Sequence, residues 1–133
     1  MSAPKRRVLC VDDDIDTCQM LTHLLASENY EAQAIMNVEE ALTLAQRQSF
    51  NLYILDARFP DGKGLSLCSQ IRQFDPHTPI VVYSGAVYDS DREEAERAGA
   101  TAFIPKPDVD LLVETASQFF HGDTTHFALK WLS

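Results

Sequence analysis

The chain has 133 residues, of which 45% are hydrophobic and 23% charged, the composition of one soluble globular domain able to bury a core without disulfide or metal staples. Eleven basic residues stand against twenty acidic ones, a formal net charge of −9, which disfavours non-specific binding to nucleic acid or an anionic membrane and points to protein partners or cations. Cys10, Cys18 and Cys68 are odd in number, lack metal-ligand spacing and fall in apolar patterns, so buried free thiols in a reducing cytoplasm are expected. The basic start, Met1 to Arg7, is followed only by Val8 to Val11 before three acids. That is too short for a signal-peptide core, and no run approaches a membrane span.

In chain order, strand-like and helix-like patterns alternate. Arg7 to Val11 reads as a buried strand running into Asp12-Asp13-Asp14, and Ile15 to Ser27 as a helix with Cys18, Leu21, Leu24 and Leu25 near one face. Tyr30 to Ile35 alternates weakly as a strand. Asn37 offers an N-cap with Glu40 three residues on, ahead of Val38, Ala41, Leu42 and Ala45 at helical spacing. Leu52 to Leu55 is a short buried strand ending at Asp56, after which Pro60, Gly62 and Gly64 forbid its continuation. Leu65 to Phe74 reads as a helix with Cys68 and Ile71 inward, Pro79 to Tyr83 as a buried strand ending at Ser84-Gly85. Ser90 to Ala98 repeats the Ser-x-x-Glu cap with Glu93 and stops at Gly99, with only Ala95 and Ala98 to bury, so it should be the loosest helix. Ala102 to Ile104 leads into Pro105-Lys106-Pro107, and Asp108 to Phe120 is an amphipathic helix carrying Val109, Leu112, Val113, Ala116 and Phe120 on one side. Five strands alternating with five helices through short loops predict an α/β fold, a doubly wound parallel sheet with helices on both faces.

The polar residues that end these strands form a pattern. Asp12 and Asp13 follow the first strand, Asp56 the third, Ser84 the fourth and Lys106 the fifth. The carboxyl edge of an open parallel sheet is where ligands bind. Each residue alone has a plainer role, since Asp and Ser are common in turns and Lys on surfaces, but together they converge on one edge. Three neighbouring carboxylates repel one another unless a cation joins them. Hard oxygen ligands suit Mg²⁺ or Mn²⁺ better than zinc. A divalent ion, a hydroxyl and an ammonium around one carboxylate are what a phosphoryl group needs, and that carboxylate is itself a potential nucleophile. Asp14 and Asp16 are read as capping and solvated acids.

With those residues in view, the sequence resembles the receiver domain of two-component response regulators, over roughly Arg7 to Phe120. Val8 through Asp14 is similar to the family's acid-pair strand, Leu55 through Gly64 to its phosphoacceptor loop, Pro79 through Gly85 to its Ser/Thr strand and Ala98 through Pro107 to its Lys-Pro strand and loop. The resemblance implies a flavodoxin-like strand order 2-1-3-4-5 and a cis bond at Lys106-Pro107. It also implies that Asp56 takes a phosphoryl group from a histidine kinase or phosphotransfer protein. Asp12, Asp13, Asp56 and the Arg58 backbone carbonyl would hold Mg²⁺ (or Mn²⁺), Ser84 and Lys106 would bind the phosphoryl oxygens, and Ser84 with Phe103 would form the switch toward a downstream protein. Such a domain is no enzyme beyond its own phosphorylation and dephosphorylation. Three departures bear on kinetics and readout: Gly85 after the hydroxyl residue, Phe103 where Tyr is common, and a bulky Arg58.

Two other readings compete. Haloacid-dehalogenase phosphatases also use a strand-end Asp with Mg²⁺, yet their acidic motif wants Thr or Val where Asp16 stands and they need more chain for a cap. A phosphorylation-independent receiver-like module would not need Asp56, Ser84 and Lys106 together. A flavin site lacks its Ser/Thr-rich phosphate loop at the first strand. Residues 1–120 are thus expected to be a receiver domain, monomeric or weakly dimeric, without nucleic-acid or membrane partners. In the tail 121–133, Gly122 ends the last helix and Phe127, Leu129, Trp131 and Leu132 should dock on the domain rather than stay in water. The tail is too short for an output domain, so output is expected to pass through a separate protein.

Overall fold

The computed structural model describes residues 4–59, 64–85 and 88–121. The expected docking of the tail therefore lies outside the described residues, as do Pro60 to Lys63. The elements run β1 (Arg7–Val11), α1 (Ile15–Ser27), β2 (Glu31–Ile35), α2 (Val38–Arg47), β3 (Leu52–Leu55), α3 (Gly64–Phe74), β4 (Ile80–Ser84), α4 (Asp89–Arg97), β5 (Ala102–Pro105) and α5 (Val109–His121). All five strands are parallel, in the order β2-β1-β3-β4-β5. The central strands are apolar on both faces because both faces are covered, as parallel sheets require.

The period of two decides which helix each strand residue meets. Val8, Cys10, Leu52, Ile54, Val81, Tyr83, Ala102 and Ile104 pack with Leu21 and Leu25 of α1 and Leu112 and Ala116 of α5. Leu9, Val11, Tyr53, Leu55, Ile80, Val82 and Phe103 point the other way, onto Val38 and Ala41 of α2, Leu67, Cys68 and Ile71 of α3, and Ala95 of α4. All three cysteines are buried and free. No helix among the described residues is long and apolar enough to cross a membrane.

Helix starts follow local hydrogen-bond chemistry. Asp14 Oδ2 accepts the Thr17 amide at 3.2 Å, and Asn37 Oδ1 accepts the Glu40 amide at 2.9 Å, so both are N-caps. The expected Ser90–Glu93 box is corrected. The chain turns two residues earlier, at Tyr88, whose amide donates to Asp91 Oδ2 at 3.1 Å, because that carboxylate stands three residues on from the true cap. Asp108 lies before α5 rather than in it and accepts the Leu111 amide at 3.1 Å. Tyr30 falls outside β2 and meets the Phe120 ring edge-on at 4.7 Å. Gly64 opens α3 instead of lying in the loop before it.

Candidate functional site

The site is assembled by strand ends. Asp12 follows β1 with its amide bonded to the Ile35 carbonyl, Asp56 follows β3 with its amide bonded to the Val11 carbonyl, and the Lys106 amide donates to the Ser84 carbonyl. Sheet pairing itself thus carries the polar residues to one edge. Asp12 is 2% exposed, Asp56 5% and Ser84 fully buried, whereas Asp13 faces solvent. Asp12, Asp13 and Asp56 each offer a carboxylate oxygen, and these oxygens lie within 4.8 Å of one another.

Backbone amides aim the two buried acids. Asp14 N–H donates to Asp12 Oδ1 at 2.9 Å, and Arg58 N–H donates to Asp56 Oδ1 at 3.0 Å. The other oxygens face Lys106, whose Nζ lies 2.8 Å from Asp12 Oδ2 and 3.4 Å from Asp56 Oδ2. The ammonium also stands 5.7 Å from the Tyr83 ring centroid, a favourable placement for a cation. The peptide between Lys106 and Pro107 is cis.

One ammonium cannot balance three acids. Burial pushes the Asp12 carboxyl above the ordinary Asp value, and the charge of Asp56 adds to that, while the Lys106 bond and the Asp14 amide pull the other way. Burial would lower Lys106, but its bond to Asp12 and the charge of Asp56 outweigh that and hold it above its ordinary value, an ammonium at neutral pH. The set is all oxygen, with excess negative charge and an exposed member open to water, which fits a hard divalent cation.

Two site features had no clear signature in the sequence. Gly64 is needed for space: a Cβ there would stand 2.3 Å from the Asp56 carbonyl oxygen and 2.8 Å from the Ala57 carbonyl. Arg92 lies over the buried Phe103 ring, 5.1 Å from its centroid. Gly85, by contrast, has nothing within 4 Å of where a Cβ would be.

The family model for the response regulator receiver domain matches residues 8–117. The chain belongs to the response regulator receiver domain family. As a receiver domain it is 36% identical over 107 residues to the response regulator protein PilR of Pseudomonas aeruginosa, covering 80% of this chain and 24% of that protein. It is 35% identical over 102 residues to a response regulator receiver protein of Anaeromyxobacter, covering 77% and 43%. The chain thus spans less than half the length of these relatives. Among solved structures, the chemotaxis protein CheY4 of Vibrio cholerae superposes on this receiver domain with a TM-score of 0.82 at 28% identity, covering 87% of this chain and 99% of that one. A two-component response regulator from Clostridium difficile gives 0.83 at 25% identity, covering 88% and 97%. Receiver domains are signalling domains rather than ordinary enzymes.

Proposed function

We propose that Asp56 is the phosphoacceptor of this receiver domain, taking a phosphoryl group from the phosphohistidine of a histidine kinase or phosphotransfer protein. The observation that carries this reading is a buried carboxylate whose second oxygen lies 3.4 Å from the Lys106 ammonium, beside two further acids. In the reaction an Asp56 carboxylate oxygen attacks phosphorus, the bond from phosphorus to the donor imidazole nitrogen breaks, and the imidazole leaves with the electron pair. Lys106 offsets the charge on the transferred oxygens, and the Ser84 hydroxyl donates to one of them. Asp12, Asp13 and Asp56, with the Arg58 backbone carbonyl, would hold Mg²⁺ or Mn²⁺, which supplies positive charge to the phosphoryl oxygens. Asp12 and Asp56, each tied at one oxygen by a backbone amide, keep that donor set in place.

The product is an acyl phosphate whose effect passes through Ser84, Phe103 and α4 to a downstream protein. α4 suits that task because Ala95 is its one buried residue. The phosphorylation lies in residues 1–120, in the cytoplasm where the three free thiols belong. The test is a small phosphodonor such as acetyl phosphate, read by mass spectrometry. One labile phosphoryl group is expected, at Asp56 and only with Mg²⁺ or Mn²⁺. An Asp56→Asn protein that still gained one would overturn the assignment. Turnover of generic phosphate esters would favour a phosphatase, and partner binding indifferent to phosphodonor would favour the phosphorylation-independent module.

A further inference from the structure

α4 is held unequally at its two ends. At the C-terminal end Arg72 Nε donates to the Gly99 carbonyl at 2.8 Å, and its Nη2 donates to Thr101 Oγ1 at 3.2 Å. Arg72 Nη1 also bonds the Asp75 and Thr78 carbonyls, at 3.1 and 2.6 Å, so this anchor is itself fixed to the loop after α3. At the N-terminal end the tie is lighter. Asp91 Oδ2 accepts the Tyr88 amide and lies 3.9 Å from Arg58 Nη2, in a pair whose side chains are 26% and 58% exposed. Arg58 is two residues beyond Asp56, and its amide is the one that donates to Asp56 Oδ1 at 3.0 Å. The root of that side chain is therefore fixed to the phosphoacceptor carboxylate, while its guanidinium reaches across to α4.

We propose that Arg58 is a phosphoryl-contacting residue held in reserve by Asp91; the inference rests on Asp56 being the phosphoacceptor. A loosely spaced, solvent-exposed ion pair is among the weakest contacts a guanidinium makes. A phosphoryl group offers it a two-pronged, charge-assisted site, and a guanidinium matches that geometry better than an ammonium does. Placed on Asp56, such a group brings fresh negative charge to within the length of the Arg58 arm. The guanidinium then leaves Asp91 for the phosphoryl oxygens. Asp91 loses its partner but keeps the Tyr88 amide, so the N-terminal end of α4 is freed from the phosphoacceptor loop while Arg72 keeps the other end in place. The two sites are coupled through one cation. By reciprocity, whatever weakens the Arg58–Asp91 pair strengthens the hold on phosphoryl.

The test is calorimetric titration of the full chain with the phosphoryl mimic trifluoroberyllate in the presence of Mg²⁺. Asp91→Asn keeps an oxygen for the Tyr88 amide and removes only the charge, so the mimic should bind about two- to fivefold tighter, the range that an exposed ion pair supports. Arg58→Ala should bind it weaker by a similar factor, and in the double variant Asp91→Asn should bring no gain. An equal gain from Asp91→Asn with and without Arg58 would mean a general charge effect and would overturn the proposal. So would an Arg58→Ala protein with unchanged affinity. Wild-type binding that does not depend on Asp56 would instead overturn the phosphoacceptor reading beneath it.

Discussion

Replacing Lys106 by Met keeps most of the apolar arm and removes the ammonium that stands 2.8 Å from Asp12 Oδ2 and 3.4 Å from Asp56 Oδ2. At an effective dielectric of about 20 those spacings correspond to gross attractions of roughly 6 and 5 kcal/mol. Against them stands the desolvation of an ammonium whose side chain is only 24% exposed. The variant has an escape, since Asp12 can take up a proton, which for a carboxyl of ordinary pKa costs about 4 kcal/mol at pH 7. That sets the ceiling. Because Lys106 retains some solvent contact, a loss of about 2–3 kcal/mol in unfolding free energy is expected for Lys106→Met at pH 7 without divalent cation, toward the low end for a broken buried pair. Urea unfolding followed by circular dichroism measures it, with an unchanged m-value as the check that stability alone moved. The pH dependence has a definite sign. Asp12 has a folded-state pKa above its unfolded one, so its favourable contribution is full below the unfolded value and is lost as pH rises through the folded one. Without Lys106 the folded value rises further, so the variant's deficit should grow from about pH 4 to pH 7. Millimolar Mg²⁺ should restore more stability to the variant than it adds to the wild type. A deficit under about 0.5 kcal/mol, or one flat across this pH range, would refute the view that Lys106 compensates the buried acids.

Two glycines should part company. Gly64→Ala drives a Cβ into the Asp56 and Ala57 backbone and should cost about 2–4 kcal/mol by urea melt, with the phosphodonor reaction lost or slowed. Gly85→Ala meets nothing and should be neutral or stabilising by up to about 1 kcal/mol. Arg72→Met strips bonds from the carbonyls of Asp75, Thr78 and Gly99 and from the Thr101 hydroxyl; a thermal melt should report a loss of about 2–3 kcal/mol, and amide exchange should rise at residues 98–101. Asp75 is pushed up by its burial, but bonds from Thr78 and from the His77 amide, with the nearby Arg72 charge, hold it below the ordinary Asp value. Its contribution is thus present above the unfolded pKa and lost as pH falls through the folded one. Asp75→Ala should cost about 0.5–1 kcal/mol at pH 7, shrinking as the pH falls below the ordinary Asp value, as paired melts would show.

Much of this molecule was legible without coordinates, because the deciding interactions are local or periodic. Ile54 and Val82 belong to strands covered on both sides, so an unbroken apolar run was sufficient signal. Asn37 caps α2 through an amide three residues away, a contact the chain makes with itself. The candidate site was legible for the same reason: Asp12, Asp56 and Lys106 each follow a strand and Ser84 ends one, and parallel strands place such residues on one edge.

Tertiary structure decided what depends on distant segments. Nothing local separates Asp12 from Asp13, yet one is buried against Lys106, 94 residues away in sequence, and the other faces solvent. Ser90 offered a start for α4, yet the helix begins at Asp89 behind Tyr88, because the Asp91 carboxylate reaches back to the Tyr88 amide. Gly64 looked like a turn residue, but it opens a helix and is small because the Asp56 carbonyl passes close by. The link from Arg58 to Asp91 joins the loop after β3 to α4, which only the order β3-β4-β5 brings side by side. Sequence reports backbone preference and periodic burial, both properties of neighbours along the chain, whereas the partner of a charge is set by which strands lie next to each other, and that is known only once the sheet is assembled.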